Sequence, residues 1–190
     1  SVIIKPGERS SVSALRLAEL ASGGWLPEGV LNGVPGDGDT AGKSIGMHND
    51  IDCVSFTGST EVGKYFVEYS AKSNMKLIWT ECGGKSPNII FEKCNKLNLA
   101  AQLAANGGFF NQGEVCSANS RVLVHENVLN EFIDLLKNEA SNWVTGDPFE
   151  PSSNIGCLVS EDHASKVKKF IKNAKNETEL LFEGEINNCL

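Results

Sequence analysis

Four short segments carry residues whose types and spacing could do chemistry. Cys116 sits in Phe109-Phe110-Asn111-Gln112-Gly113-Glu114-Val115-Cys116-Ser117, a polar run between apolar ones. A nucleophilic cysteine needs exposure and a route to the thiolate. The alternative is a small buried hydrophobe, the usual fate of free cysteine, and that reading suits Cys53 and Cys157. Glu81 ends an apolar run just before Gly83-Gly84. There it could act as a base on water, or it could be a surface carboxylate. Gly58-Ser59 stands where a strand gives way to a helix. Such a turn aims free backbone N–H groups at an anion and lets a phosphate approach, but it is also a common helix cap. It is not the GxGxxG of a standard dinucleotide fold. Lys5 and Glu8 follow the first apolar run. At a strand's carboxyl end, beside the strand that ends at Gly58, they could donate to and accept from ribose hydroxyls; the alternative is a solvated turn.

The elements that must position these groups alternate by period. Residues 1–5 read as a strand broken by Pro6-Gly7, and 10–21 as a helix with Val12, Leu15, Ala18 and Leu20 at helical spacing, capped by Ser10 or Ser11 and stopped by Gly23-Gly24. Strands follow at 29–34 and 53–56, with helices at 40–47, capped by a threonine, and at 61–71. This β-α-β-α-β-α order predicts a parallel sheet covered by helices. Further strands are expected at 76–80, 88–91 and 121–125, with a strand starting at 180–182. An Ala-rich helix is expected over 97–107, and 146–151 reads as a loop. Amphipathic stripes run from Leu129 to Trp143 and from Ala164 to Ala174. The lysines of the last stripe follow Glu161-Asp162, which suits a solvated helix with acidic residues at its start and basic ones at its end rather than a polyanion site.

Composition narrows the function classes. The chain has 190 residues, a net charge of −7 and 41% apolar residues, so wholesale disorder is excluded. Seven basic residues face ten acidic ones in 1–82, and ten face fourteen in 83–190. Neither half is a basic module, which argues against nucleic acid as partner. The six cysteines, at 53, 82, 94, 116, 157 and 189, form no CxxC pair and have no histidine at ligand spacing. No metal site is expected, and reduced thiols fit a cytoplasmic setting. No apolar run approaches the roughly 18 residues that span a bilayer, so no membrane partner is expected.

Taken together, the motifs lose their ambiguity. Lys5-Pro6-x-Glu8, Phe56-Thr57-Gly58-Ser59-Thr60-Glu61-Val62-Gly63, Glu81-x-Gly83-Gly84-Lys85-Ser86-Pro87-Asn88 and Phe110-Asn111-Gln112-Gly113-x-Val115-Cys116 resemble, in order and separation, the aldehyde dehydrogenase superfamily. The similarity runs along essentially the whole chain. Ser73-Asn74-Met75-Lys76 with Trp79, and Cys94, look most like the group oxidising γ-glutamyl-γ-aminobutyraldehyde and related aminoaldehydes.

The resemblance implies an α/β fold: part of a Rossmann-like, parallel-sheet NAD-binding domain over 1–82, then the start of an α/β catalytic domain over 83–190, with the site between them. Cys116 matches the catalytic nucleophile and Glu81 the general base. Gly58, Ser59, Thr60, Glu61, Val62 and Gly63 match the turn and helix that meet the cofactor's pyrophosphate. Lys5 and Glu8 match the pair that holds the adenosine ribose, and Cys82 and Gly83 match the stretch beside the nicotinamide. The implied reaction is NAD-dependent oxidation of an aldehyde to a carboxylic acid through a Cys116 thioester that Glu81-activated water hydrolyses. Glu8 favours NAD over NADP, because a carboxylate accepts from a 2′-OH but repels a 2′-phosphate.

Three residues depart from the family pattern. Cys82 replaces the usual Leu. Glu114 stands where Gln is common, and facing Cys116 it would disfavour the thiolate. Asn119 stands where Gly is usual, at a turn for which Asn's tolerance of left-handed backbone would be useful. The family's oxyanion Asn segment, its nicotinamide-ribose Glu segment and its oligomerisation hairpin have no counterpart in these residues. The chain is therefore expected to be a central portion of a longer, homo-oligomeric enzyme, with little or no activity in isolation. The alternative is a catalytically inactive truncated product acting only as a subunit or binding partner.

Overall fold

The computed structural model describes residues 1–24 and 26–184; Cys189 lies outside them. By backbone proximity the chain divides into two compact units, Ser1–Cys82 and Gly83–Leu190.

In the first unit, β1 (Val2–Ile4) leads to α1 (Ser11–Ser22) and β2 (Leu31–Gly33). A π-helical turn, Gly38–Gly42, runs straight into α2 (Lys43–Met47). Then come β3 (Cys53–Gly58), α3 (Thr60–Ala71) and β4 (Leu77–Cys82). Parallel neighbours need a crossover, and α1 and α3 supply it. β1 pairs in parallel with β2, from Val2 beside Leu31 to Ile4 beside Gly33. β3 pairs in parallel with β4, from Cys53 beside Leu77 to Gly58 beside Cys82.

Several expectations are corrected. The strand followed by Lys5 and Glu8 does not lie hydrogen-bonded beside the strand that ends at Gly58. Its ladder partner is β2, because each β-α-β unit folds back onto its own next strand. Thr40 is not a helix cap. The chain already turns at Gly38, and Thr40 Oγ1 donates to Asp37 O from inside the π-helical turn. Ser10 stands at the start of α1 without a capping side-chain bond. β3 and β4 run on to Gly58 and Cys82, because ladder pairing continues past the apolar pattern that marks them in sequence. Residues 180–182 form no strand. Cys53 and Cys157 are exposed rather than buried, as side chains on a two-stranded ladder and in a loop lack a second covering layer.

In the second unit, β5 (Pro87–Ile90) and β6 (Arg121–Val124) pair in parallel, Pro87 beside Arg121 through Ile90 beside Val124. Between them lie α4 (Leu97–Phe109) and a 3-10 turn, Phe110–Gly113. A second 3-10 turn, Glu126–Val128, leads into α5 (Leu129–Ala140), and α6 (Glu161–Glu177) follows. The core gathers Ile90, Leu97, Ala101, Ala104 and Phe132, flanked by half-buried Cys94, Val122, Val124 and Leu136. Ala101 and Ala104 give α4 a flat face against α5, and Phe132, 1% exposed, fills that space. Removing apolar area of this kind from water is worth about 25 cal/mol per Å². A single parallel bridge, Thr145 to Ile155, ties off the 146–154 loop. Ser160 caps α6 by accepting from His163 N at 3.2 Å, and Glu161 and Asp162 occupy its first turn.

Candidate active site

At the carboxyl end of the β3–β4 ladder, Thr57 stands opposite Glu81 and Gly58 opposite Cys82. Parallel register therefore brings the two motifs Phe56-Thr57-Gly58-Ser59 and Glu81-Cys82 side by side. Ser59 Oγ accepts from Val62 N at 3.2 Å, so the helix-cap reading of this turn is realised. Thr60, Glu61 and Val62 form the exposed first turn of α3, where helical N–H groups lack intrahelical acceptors. Gly63 is buried, and a Cβ on it would stand 3.3 Å from Cys82 Sγ and 3.5 Å from Thr80 Cγ2. Its missing side chain lets α3 seat on β4, so Gly63 acts by packing. Glu81 is exposed and Cys82 half-buried.

After β1, Lys5 Nζ lies 2.9 Å from Glu8 Oε1 and 3.0 Å from Pro6 O. The ammonium is mostly covered while Glu8 is half exposed. The hydrogen bond from Lys5, then hydrogen bonding to the backbone, holds the Glu8 carboxyl below the usual carboxylate range. A Cβ on Gly38, where the π-helical turn begins, would stand 3.9 Å from Glu8 Oε1. Lys5 and Glu8 thus form a pair rather than two independently solvated groups.

In the second unit, Cys116 is exposed in the loop between the 3-10 turn and β6. The approach to it is conformationally unusual. Asn111, Gln112 and Gly113 have φ of 51°, 56° and 73° in succession. A Cβ on Gly113 would stand 2.8 Å from Gly108 O, so that position needs glycine for both its backbone and its space. The Gly83-Gly84-Lys85 segment passes the same loop. A Cβ on Gly84 would stand 3.4 Å from Cys116 O, and Arg121 donates to Lys85 O at 2.7 and 3.0 Å.

Two departures from the motif resolve differently from expectation. Glu114 Oε1 lies 2.7 Å from His163 Nε2, so its carboxylate is engaged at the start of α6. Asn119 is not among the residues with positive φ; instead its Nδ2 donates to Ala104 O at 3.0 Å. An Asn side chain reaches a helix carbonyl that a glycine could not.

Sequence reasoning missed the Glu114–His163 contact, because 49 residues separate the partners and no local pattern links them. It also missed the role of Ser73-Asn74-Met75-Lys76. Asn74 Nδ2 donates to Asn49 O and Ile51 O, and buried Lys76 Nζ donates to Gly46 O and Ser73 Oγ, each at 2.7 Å. This run knots the α3–β4 connection to α2. A lysine placed just before an apolar strand was the one available signal. Among the described residues no group of three His, Cys, Asp or Glu is placed to hold a metal, and no helix is long and apolar enough to cross a membrane.

Comparison with known proteins adds a separate line. The profile of the aldehyde dehydrogenase family matches residues 1–189. The NADP/NAD-dependent aldehyde dehydrogenase PuuC of Escherichia coli K12 is 47% identical over 184 residues, covering 97% of this chain and 37% of that protein. The crystal structure of γ-glutamyl-γ-aminobutyraldehyde dehydrogenase from Burkholderia cenocepacia J2315 superposes with a TM-score of 0.95 at 44% identity, covering 98% of this chain and 38% of that one. An indole-3-acetaldehyde dehydrogenase in complex with NAD+ gives a TM-score of 0.93 at 42% identity, over 97% of this chain and 37% of that one. The chain thus spans little more than a third of the length of these relatives.

Proposed function

The chain belongs to the aldehyde dehydrogenase family, and on that premise we propose that the whole protein oxidises an aldehyde to its carboxylic acid, with NAD as hydride acceptor. Cys116 is the nucleophile. The observation that carries this is an exposed cysteine three residues after a left-handed turn, with Gly84 against its carbonyl.

The cofactor's fit is tested on the donor set. Glu8 offers a carboxylate held ionised by Lys5, suited to accept from ribose hydroxyls. Lys5 brings hydrogen-bond donors. The first turn of α3 offers the backbone N–H groups of Thr60 and Glu61 to a pyrophosphate, whereas that of Val62 is taken by the Ser59 cap. Gly58, Ser59 and Cys82, which stands opposite Gly58 in the ladder, would complete the lining, and Gly63 supports it from beneath. NAD supplies the hydride acceptor when bound. A 2′-phosphate beside Glu8 would meet a like charge, which favours NAD over NADP.

The chain's own residues then act in sequence. The Cys116 thiolate adds to the aldehyde carbon, forming the C–S bond and moving the carbonyl pair onto oxygen. The backbone N–H of Cys116 would stabilise that oxyanion. Loss of hydride from the same carbon leaves an acyl thioester on Cys116. Glu81 takes a proton from water, which attacks the thioester, and the thiolate leaves as the carboxylic acid forms. The substrate is proposed to be an aminoaldehyde, on the likeness to the γ-glutamyl-γ-aminobutyraldehyde enzyme of Burkholderia cenocepacia. An adenosine-side site over 1–82 and a catalytic segment over 83–190 is the domain assignment that follows.

Steady-state kinetics of the whole protein on a panel of aldehydes with NAD test the reading. Cys116→Ala should abolish oxidation, and Glu81→Gln should stall turnover with acyl groups on Cys116 visible by mass spectrometry. Oxidation that persists in Cys116→Ala would refute it.

A further inference from the structure

We infer that Glu114 and His163 are positioning residues, which clamp the loop carrying Cys116 to the start of α6. The inference rests on Cys116 being the nucleophile, and it adds a device outside the residues that touch substrate or cofactor.

Asn111, Gln112 and Gly113 hold positive φ one after another, immediately before the loop that carries Cys116. Asn tolerates this region and Gly is free in it, but Gln does neither. Such a backbone persists only where its surroundings over-determine it. The loop closes partly on itself, through Glu114 N donating to Asn111 O at 3.0 Å and Ala118 N donating to Val115 O at 2.9 Å. Beyond Cys116, Asn119 ties the far end of the loop to α4, its N donating to Gly107 O at 3.3 Å and its Nδ2 to Ala104 O at 3.0 Å.

Two side chains reach out of it to one distant stretch. Gln112 Nε2 donates to Cys157 O at 3.4 Å, and Glu114 Oε1 meets His163 Nε2 at 2.7 Å. The first is long and weak by distance, whereas the second has the length of a charge-assisted bond. The anchor is itself fixed. His163 lies in the capped first turn of α6, where its N–H is bonded to Ser160 Oγ, and the next residue, Ala164, is buried. The Thr145–Ile155 bridge holds the strand of chain that leads to the same place. Glu114 is two residues from Cys116, so a contact that fixes Glu114 limits where the sulfur can sit. A small misplacement of a nucleophile lowers rate without altering what binds.

The pair is about two-fifths exposed on either side, so water competes for it and its effect is moderate. In the whole protein, Glu114→Ala and His163→Ala should each lower kcat about three- to tenfold. The KM for NAD and the melting temperature should stay near wild type. The double variant should be no slower than either single one, because one contact is lost in all three. Glu114→Gln and His163→Gln keep a neutral N–H···O contact and should recover more than half of the lost rate. Lys166→Ala, one turn further along α6, serves as the control and should leave kcat unchanged.

The same series separates the two readings. Cys116→Ala inactive, with the alanine variants of the pair at wild-type kcat, overturns the clamp and leaves the nucleophile assignment standing. Cys116→Ala active overturns both. Losses that multiply in the double variant, glutamines that fail to rescue, or a fall in melting temperature with kcat unchanged would each reduce the pair to an ordinary surface contact and overturn the inference.

Discussion

Gly113→Ala tests the reasoning about the nucleophile loop most sharply, because two independent effects converge on one methyl group. The residue sits at φ 73°, where an L side chain crowds the neighbouring carbonyl, a penalty of roughly 1–2 kcal/mol. The new Cβ would also stand 2.8 Å from Gly108 O, a backbone atom that cannot rotate aside. Relieving that overlap by shifting the end of α4 costs about 1–2 kcal/mol more, in line with overpacking elsewhere. The sum, about 2–4 kcal/mol, falls on the loop that holds Cys116. Hydrogen exchange of the 108–118 peptide in the whole protein reads it directly, since Glu114 N is bonded within the loop to Asn111 O. Protection should fall roughly 30- to 700-fold, or to the unprotected rate if the wild-type loop opens more readily than that. Gly113→Asn separates the two effects. Asn accepts the left-handed backbone but keeps the Cβ, so it should lose only the contact part. Protection and kcat both within threefold of wild type in Gly113→Ala would refute the reasoning.

Two other perturbations follow from the first unit. Lys76→Met removes both hydrogen bonds from a side chain in a residue only 5% exposed, and leaves Gly46 O and Ser73 Oγ without that donor. Stability should drop by about 1–3 kcal/mol, read as an earlier thermal or urea transition of the whole protein, and an unchanged transition would count against the α2–β4 knot. The Glu8 carboxyl is held below its usual range in the folded chain, chiefly by Lys5. Its stabilising share is therefore present above the unfolded carboxylate pKa and is lost as pH falls through the lowered folded value. Because Glu8 is half exposed, that share is about a few tenths of a kcal/mol, and Glu8→Gln should flatten the acid limb of stability against pH by that amount. An acid limb steeper in the variant than in wild type would contradict the sign.

The sequence by itself determined the alternation of strands and helices, the parallel α/β class and the family. Each of these is written in local pattern: period, glycine turns and four ordered motifs. It also placed Glu161-Asp162 at the head of α6, because dipole chemistry acts within one turn. The pairing of strands was decided by tertiary structure. β1 joins β2 and not β3, since a short apolar run does not encode which neighbour its crossover will reach. Likewise Glu81 stands beside Thr57 and Cys82 beside Gly58 only through ladder register. Gly63 becomes a packing glycine only because Cys82 and Thr80 lie beneath it. Glu114, which the sequence set against Cys116, is turned to His163 by a helix 49 residues further on. Ser59 as a cap and Lys76 as a buried knot show the same division. A residue's chemistry is fixed by its type, but which of its chemistries is used depends on the partners that the folded chain brings within about 3 Å.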